Sequence, residues 1–293
     1  MYDFGHLFQP RSVEEAIQMR LAYPEADIIA GGSDVLVQIH EGKRAGKDLI
    51  SIQQLDSLRR ITMEADGTIR IGSLSSFFRI THDPIIQKHL SVLGEAVDQV
   101  GGPQIRNIAT IGGNTCNGVT SADSASTLFA YDATVELTGT AGIRRLPIQE
   151  FYLGAGKVDI RAGEIQTAIL ISKDSYDRTR GHYIKYAMRN AMDIATLGTS
   201  VNVRLAEDRT TVSRLRIAFG VAGPTPLRAK TAETIAANQA VSADLAEQIA
   251  QAVPSDIRPR DSWRASRDFR LHIASECAKR AFIEAVRQCQ GGT

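Results

Sequence analysis

The chain has 293 residues, and its 34 Lys and Arg against 33 Asp and Glu leave a formal net charge of +1, a field too weak to support nucleic-acid or anionic-membrane partners. Hydrophobic content of 43% with 23% charged residues sits with ordinary globular proteins and against disorder, collagen or a membrane bundle. The length suits about two domains at roughly 150 residues each. No apolar run approaches the ~18 residues of a spanning helix, and the opening residues from Met1 to His6 lack the basic start and apolar stretch of a signal peptide, so a cytoplasmic protein is expected. Cys116, Cys277 and Cys289 are too few and too widely spaced for a disulfide framework or a four-cysteine iron–sulfur site. The histidines form no pair at metal-binding spacing and sit beside no nucleophile motif, so hydrolysis by a metal or a triad has no support.

In chain order, Ser12-Val13-Glu14-Glu15 reads as a capping box that opens a helix running to about Tyr23. Asp27 to Ala30 and Asp48 to Ile52 are short apolar runs with an apolar segment Val35 to Ile39 between them, the pattern of a small βαβ-like unit. Arg60 to Glu64 and Thr68 to Ile71 flank Asp66-Gly67, which predicts a hairpin closed by a type I′ turn, since Asp and Gly tolerate positive φ. Ser76 to Asp98 is expected to be helical in two pieces, because Pro84 removes a donor and breaks the helix near Asp83. The glycine-dense stretch Gly101 to Gly118 interrupts all periodicity, and strands resume at Thr134 to Leu137 and Ile165 to Ile171. The polar run Ser172 to Arg180 has no apolar face and reads as a linker. A strand near His182 to Met188, an alternating run Leu197 to Leu205, a turn at Glu207 to Arg209 and a second run Val212 to Val221 predict an antiparallel sheet. Helices are expected at Thr231 to Asn238, Ala243 to Val253 and Arg264 to Gln288, which segregates sheet from helices as in an α+β domain.

Two glycine-rich segments are the candidates for chemistry. In Ile28-Ile29-Ala30-Gly31-Gly32-Ser33-Asp34-Val35 a strand runs into paired glycines, a hydroxyl and an apolar helical turn. Glycine permits close backbone approach to a phosphate, and the N–H groups of Gly32, Ser33 and Asp34 are placed as anion donors. A strand-to-helix turn needs glycine on its own account, so this segment alone is ambiguous. It is neither a G-x-G-x-x-G nor a Walker loop, which disfavours Rossmann-type nicotinamide binding and ATP hydrolysis. In Ala109-Thr110-Ile111-Gly112-Gly113-Asn114 the glycines are again expected to free N–H groups, while Thr110 and Asn114 add side-chain donors. A Cβ at Gly113 is expected to violate both the close approach and the backbone dihedrals. Two such loops fit a pyrophosphate held from both sides. Asp123 reads either as an acceptor for ribityl or ribose hydroxyls or as a turn or N-cap residue.

These residues, together with Tyr2-Asp3-Phe4, Gln104 to Ala109, Lys185-Tyr186-Ala187-Met188-Arg189, Asp193-Ile194-Ala195 and Ser262-Trp263-Arg264-Ala265-Ser266, resemble the FAD-binding subunits of molybdenum hydroxylases, in particular those of bacterial xanthine dehydrogenases. The resemblance implies an α+β protein. Residues 1–176 would form the two-subdomain FAD fold of the vanillyl-alcohol-oxidase and p-cresol methylhydroxylase type, with subdomains at about 1–56 and 57–176. A small α+β domain like that of carbon monoxide dehydrogenase flavoproteins would occupy 181–290. It further implies that Ile28 to Val35 and Ala109 to Asn114 are the two FAD pyrophosphate loops and that Asp123 is the FAD-contacting aspartate. Ile165 would be an apolar contact on the adenine or flavin side, although a buried strand residue reads equally well there. Lys185 would lie near the cofactor and stabilise reduced anionic flavin, against the alternative of a solvated strand lysine. Thr120 stands where many members have proline, and Val100 stands where some have an aromatic on the flavin, so stacking there is not supported.

What the resemblance implies about function follows from what the chain lacks. Hydroxylation would occur at a molybdenum cofactor in a large partner, and electrons would pass through 2Fe-2S clusters in a small partner to non-covalent FAD and on to NAD⁺ as a transient acceptor. No catalytic acid–base residue and no metal ligand is named. Two other readings are a free-standing flavin oxidoreductase acting on its own organic substrate and a non-catalytic module whose glycine loops are only turns.

Overall fold

The computed structural model describes residues 2–291. Leu7–Phe8, Asp27–Ile29 and Leu49–Ser51 form a parallel three-stranded sheet with Leu49–Ser51 in the middle, as short apolar runs joined through helices require. The helix Val13–Ala22 starts at Ser12, whose Oγ accepts the Glu15 N–H, while Glu15 accepts the Arg11 N–H. It buries Ala16 and Ile17 in a small core with Ile52, Leu55, Leu58, Leu74 and Ile165.

An antiparallel five-stranded sheet follows, in the order Ile61–Met63, Ile69–Gly72, Ile165–Ile171, Thr134–Gly139, Gly142–Pro147. Its middle strand Ile165–Ile171 is buried along its whole length. The hairpin at Asp66-Gly67 forms, but its turn is not type I′: Gly67 is the residue there with positive φ, +84°, and its N–H donates to the Glu64 carbonyl. An ordinary turn followed by one left-handed glycine closes the hairpin as well, and Asp66 instead accepts the Thr68 N–H. The helical stretch after Ser76 breaks at Asp83, whose Oδ1 caps Ile85 and Ile86, and breaks again at Leu90, so three helices stand where two were expected: Phe77–His82, Pro84–His89 and Ser91–Asp98. The glycine-dense stretch is not irregular either. It holds two six-residue helices, Pro103–Ile108 and Ile111–Cys116, each too short to show a helical period. These helices and Asp123–Ala130 pack with the sheet around the largest core, which includes Phe77, Phe129 and Phe151.

The run Ser172 to Arg180 is not a loose linker. Lys173–Tyr176 is a helical turn, Tyr176 is buried, and its hydroxyl donates to the Gly67 carbonyl at 2.5 Å. The next strand already begins inside that run, at Thr179–Tyr186, and pairs antiparallel with Leu197–Leu205, which pairs with Val212–Gly220 and that with Leu227–Arg228. Helices Lys230–Ala236, Ala243–Asp256 and Arg267–Cys289 share a second large core with this sheet. The last helix starts at its cap Ser266, two residues after the expected Arg264. The sheet also packs against Ser91–Asp98 and Asp123–Ala130 of the preceding unit. No helix among the described residues is long and apolar enough to cross a membrane.

Candidate functional site

The parallel unit and the antiparallel sheet meet at a cleft of ≈ 980 Å³, within the range of small-molecule and cofactor sites. Both glycine loops open into it. They touch directly: a Cβ on Gly31 would lie 1.8 Å from the Ile108 carbonyl oxygen, so only glycine lets the first loop lie against the chain entering the second. Across the opening, the Asn117 amide donates to Asp34 Oδ2 at 2.7 Å.

The two loops do different work. In the first, Gly32 takes φ +76°, and the backbone N–H groups of Gly32, Ser33 and Asp34 find no acceptor among the described residues. Such unpaired donors at a cleft lip are suited to anion oxygens. In the second loop the expected free N–H groups are already used. Gly112 donates to the Ser73 carbonyl at 2.8 Å, and Gly113 donates to Thr110 Oγ1 at 3.1 Å, because Thr110 caps the helix Ile111–Cys116. The glycines there serve space instead. A Cβ at Gly112 would strike Ser73 at 2.5 Å, whereas one at Gly113 would meet only Thr110 Oγ1, at 3.0 Å, and otherwise project into the cleft. Gly113 has ordinary helical dihedrals, so the expected dihedral constraint belongs to Gly32. The second loop therefore contributes side-chain donors, the Thr110 hydroxyl and the Asn114 amide, whose oxygen is fixed by Ser124 Oγ at 2.6 Å.

Ile28, Ala30, Gly31 to Val35, Ala109, Thr110, Gly112 to Asn114 and Ile165 all line the cleft. Ile29 and Ile111 do not, and Ile111 is fully buried in the main core. Asp123 and Lys185 do not line it either. They form a buried ion pair at 2.8 Å, with 6% and 8% of their side chains exposed. Tyr183 donates to the other carboxylate oxygen at 2.7 Å, and Lys185 also donates to the Gln99 carbonyl. Burial pushes the Asp123 carboxyl up from its ordinary range, opposed by the Lys185 charge and by hydrogen bonds from Lys185 and Tyr183. The strand Thr179–Tyr186 thus holds the start of the Asp123–Ala130 helix and the segment just before Val100, both one step behind the cleft wall.

Sequence reasoning missed three cations at the cleft: Arg20, Arg44 and Lys157. Arg44 is neutralised by Asp27 at 2.7 Å. Cys116 also lines the cleft, its thiol donating to Gln166 Oε1 at 2.7 Å, and burial pushes it up to about 12. A thiol held protonated is a poor nucleophile.

A strand–glycine turn with three free N–H groups and a helix that offers a hydroxyl and an amide to the same cleft are chemically suited to an anionic ligand. The chain belongs to the family of FAD-binding domains of molybdopterin dehydrogenases, which matches residues 2–173, and residues 182–285 match the C-terminal domain of carbon monoxide dehydrogenase flavoproteins. It is 42% identical over 291 residues to the putative xanthine dehydrogenase FAD-binding subunit of Escherichia coli K12, covering 99% of both chains. It is 30% identical to the nicotinate dehydrogenase FAD-subunit of Eubacterium barkeri, covering 100% of this chain and 99% of that one. The fold superposes with a TM-score of 0.92, at 28% identity and 99% coverage of both chains, on carbon monoxide dehydrogenase from Hydrogenophaga pseudoflava lacking the Mo-pyranopterin moiety of its cofactor.

Proposed function

We propose that this chain is the FAD-carrying electron-transfer subunit of a xanthine dehydrogenase-like molybdenum hydroxylase in the cytoplasm. It receives electrons from 2Fe-2S clusters in a small partner subunit, while a large partner with the molybdenum cofactor performs the hydroxylation, and it passes the electrons to NAD⁺. The observation that carries the reading is the trio of unpaired N–H groups at Gly32, Ser33 and Asp34, which share one cleft with Gly113, where an added Cβ would meet only Thr110 Oγ1. That arrangement fits the diphosphate of a dinucleotide.

In this reading Gly32, Ser33 and Asp34 donate to phosphate oxygens, with Thr110 and Asn114 donating from the opposite wall. Ile28, Ile52 and Ile165 give the cleft apolar walls that exclude water from a bound ring system. The Lys185–Asp123–Tyr183 cluster positions the second wall from behind and buries a cation there. Bound flavin would supply the exchange between single-electron donors and a two-electron acceptor, so the protein needs no acid–base side chain of its own. The three cysteines are free and distant in sequence, so no four-thiolate cluster can form in this chain.

The test is expression of the chain alone. It should purify yellow with FAD, oxidise NADH with an artificial dye, and hydroxylate no purine. Purine oxidation by this chain free of molybdenum and iron would instead support the free-standing oxidoreductase, and a colourless chain that takes up no flavin would reduce the loops to turns.

A further inference from the structure

Among the cleft-lining charges, Arg44 is paired with Asp27, and Glu164 is held by Arg144 at 2.7 Å. Asp34 accepts from Asn117. Arg20 stands apart. It lies in the last turn of the helix Val13–Ala22, lines the cleft, and its Nε is buried with no hydrogen-bond partner. No ion pair forms to it among the described residues, and Cys116 lines the same cleft. A C-terminal-turn arginine can serve simply as a favourable charge for the helix dipole, but that role is met from solvent and does not require a buried, unpaired Nε. A guanidinium nitrogen removed from water without a partner, as Nε is here, is costly, and the planar fork of the group matches phosphate oxygens.

We propose that Arg20 is a ligand-binding residue of this cleft, its guanidinium pairing with the diphosphate of the bound dinucleotide. The inference rests on the dinucleotide reading given above. The diphosphate carries the charge of FAD, so it is the part of the ligand that an unpaired cation recognises. Loop N–H groups hold it by hydrogen bonds, and Arg20 adds the net positive charge that those dipoles lack.

The experiment is titration of apoprotein with FAD at several ionic strengths, for the wild type, Arg20→Met, which keeps the aliphatic stem, and Arg20→Lys, which keeps the charge. Arg20→Met should weaken FAD at least about tenfold, the loss expected for one charge-assisted contact, and should flatten the salt dependence of binding. Arg20→Lys should recover most of that salt dependence. Circular dichroism melts of the apoproteins confirm that both variants fold. Equal affinity and equal salt slope in wild type and Arg20→Met would overturn the assignment, as would a Met-like salt slope in Arg20→Lys. Wild-type protein that takes up no FAD would overturn the reading of the cleft itself, which is a separate failure.

Discussion

Replacing Gly113 by valine separates the fold from the ligand more cleanly than any other change in the loops. The backbone at Gly113 is helical, so a side chain there meets no dihedral strain, and a Cβ would contact only Thr110 Oγ1, at 3.0 Å. The folding cost should stay within about 1 kcal/mol, since valine is at least as good a helix residue as glycine. The ligand fares differently, because three added carbons fill part of the cleft that Gly113 shares with the free N–H groups of Gly32, Ser33 and Asp34. If that displacement breaks two phosphate hydrogen bonds at about 1.5–3 kcal/mol each, affinity falls by roughly 10²- to 10⁴-fold. Flavin absorbance after desalting, an equilibrium titration and an apoprotein melt measure both sides. Gly31→Ala is the contrast, because its Cβ would sit 1.8 Å from the Ile108 carbonyl oxygen and should lower the melting temperature of the apoprotein itself. Stoichiometric FAD in purified Gly113→Val would refute the placement of the diphosphate over this glycine.

Cys116→Ser should retain FAD, and acid precipitation of the wild type should leave all flavin in the supernatant, because a thiol pushed up to about 12 by burial stays protonated at neutral pH; flavin in the pellet would contradict this. Lys185→Met should destabilise the chain by about 3–5 kcal/mol at pH 7, since it strands the buried Asp123 carboxylate. Losing the lysine raises the Asp123 carboxyl further, so folded protein holds that proton more tightly than unfolded chain does. The deficit against wild type should therefore shrink as pH falls toward ordinary carboxylate values near 4. Urea midpoints at pH 7 and near pH 5 test it, and an equal deficit at both would show that the lysine matters for packing alone.

Where the chain's periodicity is local, the sequence foretold the structure. The Ile61–Gly72 hairpin and the long antiparallel strands Leu197–Leu205 and Val212–Gly220 follow from apolar spacing and nearby turn residues, and the runs Asp27–Ile29 and Leu49–Ser51 were legible as short apolar strands, whereas Leu7–Phe8, which joins them in the parallel sheet, carries no such signal. One misreading has its cause far along the chain, and others lie in helices too short to show a period. Ser172 to Arg180 looks like a linker until Tyr176 bonds to Gly67, 109 residues away, and the partner that holds Asp123, Lys185, lies 62 residues on, where no local pattern announces it. Arg20 was silent in sequence, because one arginine on a surface helix carries no sign of which wall it will join.

The glycine pairs show the same limit at the scale of single atoms. A Gly-Gly pair says that the backbone must come close to something without naming it. At Gly31 that something is the Ile108 carbonyl, and at Gly112 it is Ser73. Neither contact involves a ligand, although both glycines sit in the motif that suggested one. At Gly113 the neighbouring space belongs to the cleft, and at Gly32 the requirement is a positive φ. Four glycines in two matching motifs thus answer to four different causes, and only Gly113 is predicted to trade cofactor binding against nothing else. A substitution series across all four should accordingly split, with Gly31 and Gly112 losing the fold, Gly32 losing both fold and ligand, and Gly113 losing the ligand alone.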